Sequence, residues 1–74
     1  MAFKEVFNQL LDSRGWKQAD FARITGMSTA YVSHMAIGKV RDPSFEKACI
    51  VADAFGITLE ELRMMIVESE KVDD

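Results

Sequence analysis

Side chains that make or break covalent bonds are scarce in this 74-residue chain. His34 is its one histidine and Cys49 its one cysteine. No serine or cysteine nucleophile stands in an evident pairing with that histidine, and no glycine-rich run matches a phosphate-cradling loop, so no catalytic set can be assembled. A structural zinc site draws all of its ligands from several cysteines and histidines, and a lone cysteine closes no internal disulfide. Enzymatic, zinc-dependent and disulfide-scaffold classes are thereby excluded, and no cofactor or small-molecule substrate is expected. What remains is hydrogen-bonding and ionic chemistry: hydroxyls, carboxamides and cations that hold an anion or a polar edge without altering it.

The charges are unevenly placed. The total is −3, with a pI near 5.0, which by itself counts against an anionic partner. Residues 1–43 hold six basic side chains (Lys4, Arg14, Lys17, Arg23, Lys39, Arg41) against four acidic ones, a net +2. Residues 44–74 hold three basic side chains against eight acidic ones, a net −5. An acidic end is most often a solvated surface, yet the asymmetry leaves room for a positive face elsewhere.

The elements that position these groups follow from periodicity. Phe3, Val6, Phe7, Leu10 and Leu11 recur at three-, four- and seven-residue spacings, predicting a helix from Phe3 to about Ser13 that stops at Gly15. A short helix is expected over about Lys17 to Thr25, with Asp20 in the first turn and Gly26 closing it. Ser28 caps the next helix, to about Ala36, with Val32 and Met35 on its inner face and Gly38 at its end. Residues Gly38 to Pro43 lack periodicity and read as a loop, with Ser44 as the next cap. Phe45, Ala48, Val51, Ala52 and Phe55 predict the buried face of a fourth helix closed by Gly56. Thr58 and Glu61 stand at capping-box spacing, opening a fifth helix with Leu59, Leu62 and Ile66 inward that frays near Glu68. The expectation is an all-α, five-helix domain over residues 1–68, with 69–74 as an acidic, flexible tail. At this size folding hides only about 60 % of the unfolded surface, near the lower limit for an unaided core.

Only Gly26 and Met27 separate the second helix from the cap of the third, which forces the sharp bend of a helix-turn-helix. The order Gly15-Trp16-Lys17-Gln18, Phe21-Ala22, Gly26-Met27-Ser28, Tyr31-Val32-Ser33, Gly38-Lys39 and Asp42-Pro43-Ser44 resembles the Cro and phage-repressor family of DNA-binding helix-turn-helix domains, also called the xenobiotic-response-element type. Downstream, Ala52, Phe55-Gly56-Ile57-Thr58 and Glu60-Glu61-Leu62 look like the family's fourth and fifth helices, so the resemblance runs from about Val6 to Leu62. It implies a compact lambda-repressor-like fold.

The resemblance also implies roles. The third helix becomes the recognition helix, with Thr29, Ala30, Ser33 and His34 outward to read base edges. None of the four makes the bidentate contact that Arg, Asn or Gln would, so discrimination of order ~1 kcal/mol per position is expected. Gln18 stands where family members place a glutamine whose side chain and backbone amide meet a phosphate, and Lys17, Tyr31, Lys39 and Arg41 are the further phosphate-binding candidates. Lys17 occupies the usual Thr or Ser cap position. Leu11 and Ala36 replace an arginine and a glutamate that often pair in the family's interior, and losing both sides of a buried pair for apolar groups is compatible with a packed fold. Ile37 replaces a residue that is usually polar.

Double-stranded DNA, in the form of a pseudopalindromic operator bound by a homodimer, is the partner implied. Ile50 and Ala54, off the buried stripe of the fourth helix, and Met64 and Val67, off that of the fifth, are the residues expected at the dimer contact. Cys49 reads as a packing residue. The competing reading is a protein-binding helix-turn-helix module, an antitoxin or adaptor with little DNA binding of its own. The longest apolar runs, such as Ala48 to Ala52, fall far short of the ~20 residues that span a bilayer. A cytoplasmic regulator, bacterial or phage-encoded and nucleoid-associated, with no membrane partner, is the expectation.

Overall fold

Where each helix begins and ends is settled by local chemistry in the computed structural model of the chain, which describes residues 2–71. The helices are α1 (Ala2–Arg14), α2 (Gln18–Thr25), α3 (Thr29–Ile37), α4 (Phe45–Phe55) and α5 (Leu59–Lys71), and no strand occurs among the described residues. Ser28 Oγ accepts the Tyr31 N–H at 3.1 Å and Ser44 Oγ accepts the Lys47 N–H at 3.2 Å, starting α3 and α4. Thr58 and Glu61 exchange side-chain to backbone bonds of 2.8 and 2.9 Å, the reciprocal pair that opens α5. Helix α1 closes with the Trp16 N–H donating to the Leu11 carbonyl at 3.0 Å, a Schellman ending.

The bend between α2 and α3 has its own stitching. Gly26 sits at φ 77°, left-handed backbone that side chains larger than hydrogen rarely adopt, and its N–H donates to the Ala22 carbonyl at 2.8 Å. Thr25 Oγ1 donates to the Phe21 carbonyl at 2.8 Å and accepts the Met27 N–H at 3.2 Å. Met27 itself is buried and plugs the turn. The expected interruption between the helices is thus a rigid corner.

Phenyl rings form the centre of the core. Phe7 meets Phe21 edge-on at 5.0 Å, Phe21 stacks on Phe55 at 5.2 Å, and Trp16 stacks on the other side of the cluster against Phe55 at 5.4 Å. Helix α1 packs on α3 and α5, α2 packs on α3 and α4, and α4 packs on α5. The recognition candidate α3 is therefore backed by both α1 and α2. Its Val32 and Met35 are fully buried, as their spacing predicts.

Leu11 and Ala36 are both buried, with no ion pair at either. A carboxamide joins these two helices instead: Asn8 Nδ2 donates to the Ala36 carbonyl near the end of α3 and to the Lys4 carbonyl, each at 2.9 Å. Asn8→Ala strands that carbonyl between α1 and α3. We expect a loss of about 1–2 kcal/mol in urea unfolding, and a thermal midpoint lower by roughly 5–15 °C.

Two expectations change. Phe45 is 75 % exposed and does not belong to the buried face of α4, which consists of Val51, Ala52 and Phe55 with Ala48 half-buried. As the first residue of α4 it lies one turn ahead of the stripe that reaches the core, past the core's edge. Helix α5 also runs on to Lys71 instead of ending near Glu68, so residues 69–71 of the expected tail are helical. Residues 72–74 lie outside the described residues. Among the described side chains of α5, Leu62 alone is fully buried, flanked by half-buried Leu59, Met65 and Ile66.

Candidate nucleic-acid interface

The starts of α2 and α3 open into one surface groove of about 810 Å³. Lys17, Gln18 and Ala19 line it from the first turn of α2, and Thr29, Ala30 and Ser33 from α3; Asn8, Leu11, Asp12 and Trp16 form the α1 side. Five of the nine residues assigned to DNA are thus gathered on one wall: two phosphate-binding candidates and three base-reading ones. His34 is exposed farther along α3. Its carbonyl accepts the N–H groups of Gly38, Lys39 and Val40 at 3.2, 2.9 and 3.4 Å, which anchors the following loop to the helix. Lys39 and Arg41 are exposed on that loop.

The α2 terminus is unusually rich in unpaired donors. Lys17 is the cap residue, and an ammonium group accepts no hydrogen bond, so the N–H groups of Gln18, Ala19 and Asp20 have no acceptor among the described residues. A Thr or Ser cap would take one of them. Here all three remain available to an anion, with a cation beside them.

Asp12 is the single carboxylate lining the groove. The nearby carboxylate of Asp20 is already engaged: it accepts the Lys17 N–H at 2.9 Å and the Arg23 guanidinium at 3.0 Å. The backbone bond from Lys17, then the bond from Arg23, hold its carboxyl below the ordinary 3.8. A depressed folded value means the interaction is complete above 3.8 and is lost only as pH falls through the folded value. The Lys17 amide resonance should accordingly titrate with a midpoint below 3.8, and Asp20→Asn should abolish that transition.

Tyr31 is half-buried, and the Lys47 ammonium sits over its ring at 5.2 Å from the centroid. Lys47, from the first turns of α4, therefore joins the cations near α3. Nothing in its own stretch of sequence marks it, because the ring that places it belongs to another helix.

The residues expected at a dimer contact are not gathered in one groove. Ile50 and Ala54 share a shallow depression of about 240 Å³ with Ile24, Thr25 and Asp53. Val67 lines a separate apolar groove between the start of α4 and α5, and Met64 is 46 % exposed beside neither. Cys49 is half-buried on α4 and forms no disulfide. No cluster of three or more metal-binding side chains exists among the described residues, nor any helix long and apolar enough to cross a membrane.

Two helices joined by a three-residue corner, the second backed by the core and showing short polar side chains outward, define a helix-turn-helix domain of the DNA-binding regulatory class. The family model described as helix-turn-helix matches residues 8–62, and the chain belongs to that family, the Cro/C1-type or xenobiotic-response-element helix-turn-helix proteins. No curated protein and no solved structure matches the chain.

Proposed function

We propose that this protein is a sequence-specific, double-stranded DNA-binding transcriptional regulator, a repressor of the phage or mobile-element kind acting in the cytoplasm at the nucleoid. The observation that carries the reading is the shared groove in which the amide-rich start of α2 meets the outward face of α3. A phosphate seats against the Gln18, Ala19 and Asp20 N–H groups and the Lys17 ammonium, fixing the domain on the backbone. Lys39 and Arg41 take phosphates on the far side of α3, and the Tyr31 hydroxyl adds a donor. Held in this way, α3 enters the major groove with Thr29, Ala30, Ser33 and His34 against base edges.

The groove itself holds one carboxylate, Asp12, and the densest run of acids lies elsewhere. Glu60, Glu61, Glu68 and Glu70 all lie on α5, which packs chiefly on α1 and α4, away from the bend between α2 and α3. One recognition helix covers only a few base pairs, so a pseudopalindromic operator read by two copies is the form in which such a domain gains selectivity.

Selection of bound sites from random duplex DNA with the purified chain tests the reading. Enrichment of inverted repeats is the expected result. Absence of any enrichment at low salt overturns it in favour of a protein partner.

A further inference from the structure

The outward face of α3 ends on an apolar side chain. Ile37, the last residue of the helix, is 55 % exposed and takes no part in the core. It follows Ala30 by seven residues, Ser33 by four and His34 by three, the offsets that set helix residues on one side. Val32, Met35 and Ala36 occupy the opposite side and are buried. Ile37 therefore lies in line with three of the four residues proposed to meet base edges, one turn beyond Ser33 and His34.

The fold gives an isoleucine no work at this position. Backbone alone ends the helix, with the Lys39 N–H donating to the His34 carbonyl at 2.9 Å and Gly38 at φ 94°. Val40 is the apolar residue that packs back onto the core from this end. A β-branched side chain adds nothing to helix propensity either. The other large apolar side chains with comparable exposure, Ile24, Phe45 and Met64, belong to α2, α4 and α5, so Ile37 is the one carried by α3.

Base edges in the major groove are hydrogen-bonding groups with one exception, the C5-methyl group of thymine. We propose that Ile37 is a specificity-determining residue that packs on a thymine methyl at the end of the base-pair segment covered by α3. The contact rests on the DNA-binding reading and adds a base preference to it. Lys39 and Arg41 follow Ile37 within four residues and are both exposed, so phosphates held by that loop bring the duplex to the same end of α3. An isoleucine side chain has no donor or acceptor. Over cytosine or a purine it covers polar groups without replacing their hydrogen bonds, whereas over thymine it buries a methyl group. Ala30 and Ile37 stand about 10.5 Å apart along the helix axis, about three steps of 3.4 Å along the duplex. The thymine beneath Ile37 is thus a different base from the one that Ala30 meets.

Deoxyuridine in place of thymidine removes this methyl and leaves base pairing unchanged, which isolates the contact. The probe is the duplex most enriched from random DNA by the full chain, with each thymine replaced in turn by deoxyuridine and affinity read by fluorescence anisotropy. One replacement should weaken binding of the wild-type chain about fourfold, the worth of one buried methyl group, and Ile37→Ala should bind the thymine and deoxyuridine forms of that duplex alike. The thermal midpoint and the salt slope of Ile37→Ala should match those of the parent chain, since the side chain is exposed and holds no phosphate. An enriched site without thymine, a wild-type chain indifferent to every deoxyuridine, or deoxyuridine penalties that all survive Ile37→Ala overturns this inference and leaves the regulator reading standing. Enrichment of no site at all overturns both.

Discussion

Phe55→Ala is expected to lower stability by about 3–5 kcal/mol. The ring is 1 % exposed and is the meeting point of three others, with Phe21 at 5.2 Å, Trp16 at 5.4 Å and Phe7 at 6.1 Å. The Arg14 guanidinium lies over it at 5.8 Å and donates to the Phe55 carbonyl, so α1, α2 and α4 all converge on this residue. A domain of this length has of order 4–11 kcal/mol in all, so the truncation removes a large fraction of it. The thermal midpoint should fall by at least ~15 °C, and the emission of Trp16, which loses its stacking partner, should shift to the red. Phe45→Ala supplies the contrast. The same atoms are deleted at a site that is 75 % exposed, and the change should stay within about 0.5 kcal/mol. Equal losses at the two positions would contradict the packing described.

The second large effect concerns binding. Replacing Lys17, Lys39 and Arg41 together by glutamine takes the formal charge from −3 to −6, which is three fewer positive charges. Each phosphate neutralised contributes about 0.9 to the slope of log affinity against log salt. Loss of three contacts should flatten that slope by roughly 2.7 and weaken binding to any duplex about 10³-fold at 50 mM salt. Fluorescence anisotropy with a random-sequence duplex over a range of salt concentrations measures both. By contrast, Ser33→Ala and His34→Ala should leave the slope nearly unchanged and alter which sequences are preferred. A triple variant with an unaltered salt slope would place the phosphate contacts elsewhere.

Local signals in the sequence located most of the helix boundaries. Ser28, Ser44, Thr58 with Glu61, and the glycines after α1 to α4 act on backbone groups within a few residues of themselves, so spacing alone is informative. The inward set Val32 and Met35 was legible for the same reason: one helix face carries them, and a face is a matter of period. Tertiary coverage is not periodic. Phe45 continues the apolar stripe of α4 in register and is nevertheless 75 % exposed, bordering the groove between α4 and α5 without being covered by it. The bond from Asn8 to Ala36 and the seat of Lys47 over Tyr31 each join separate helices, and neither partner's neighbours in sequence announce it. The same holds for the four expected dimer residues. Ile50 and Ala54 are adjacent to α2, whereas Val67 is adjacent to the start of α4, a division that helical phase on α4 and α5 separately does not reveal.

Amide chemical shifts followed by NMR while a duplex is added at low salt report most directly whether α2 and α3 are the surface that meets DNA. Gln18, Ala19, Thr29, Ala30, Ser33 and His34 should move together and saturably, with Lys39 and Arg41 following, while the exposed positions of α5 from Glu60 to Glu70 stay in place. Shifts confined to α5 and the groove beside Phe45, or a spectrum that duplex DNA leaves untouched, would contradict the assignment.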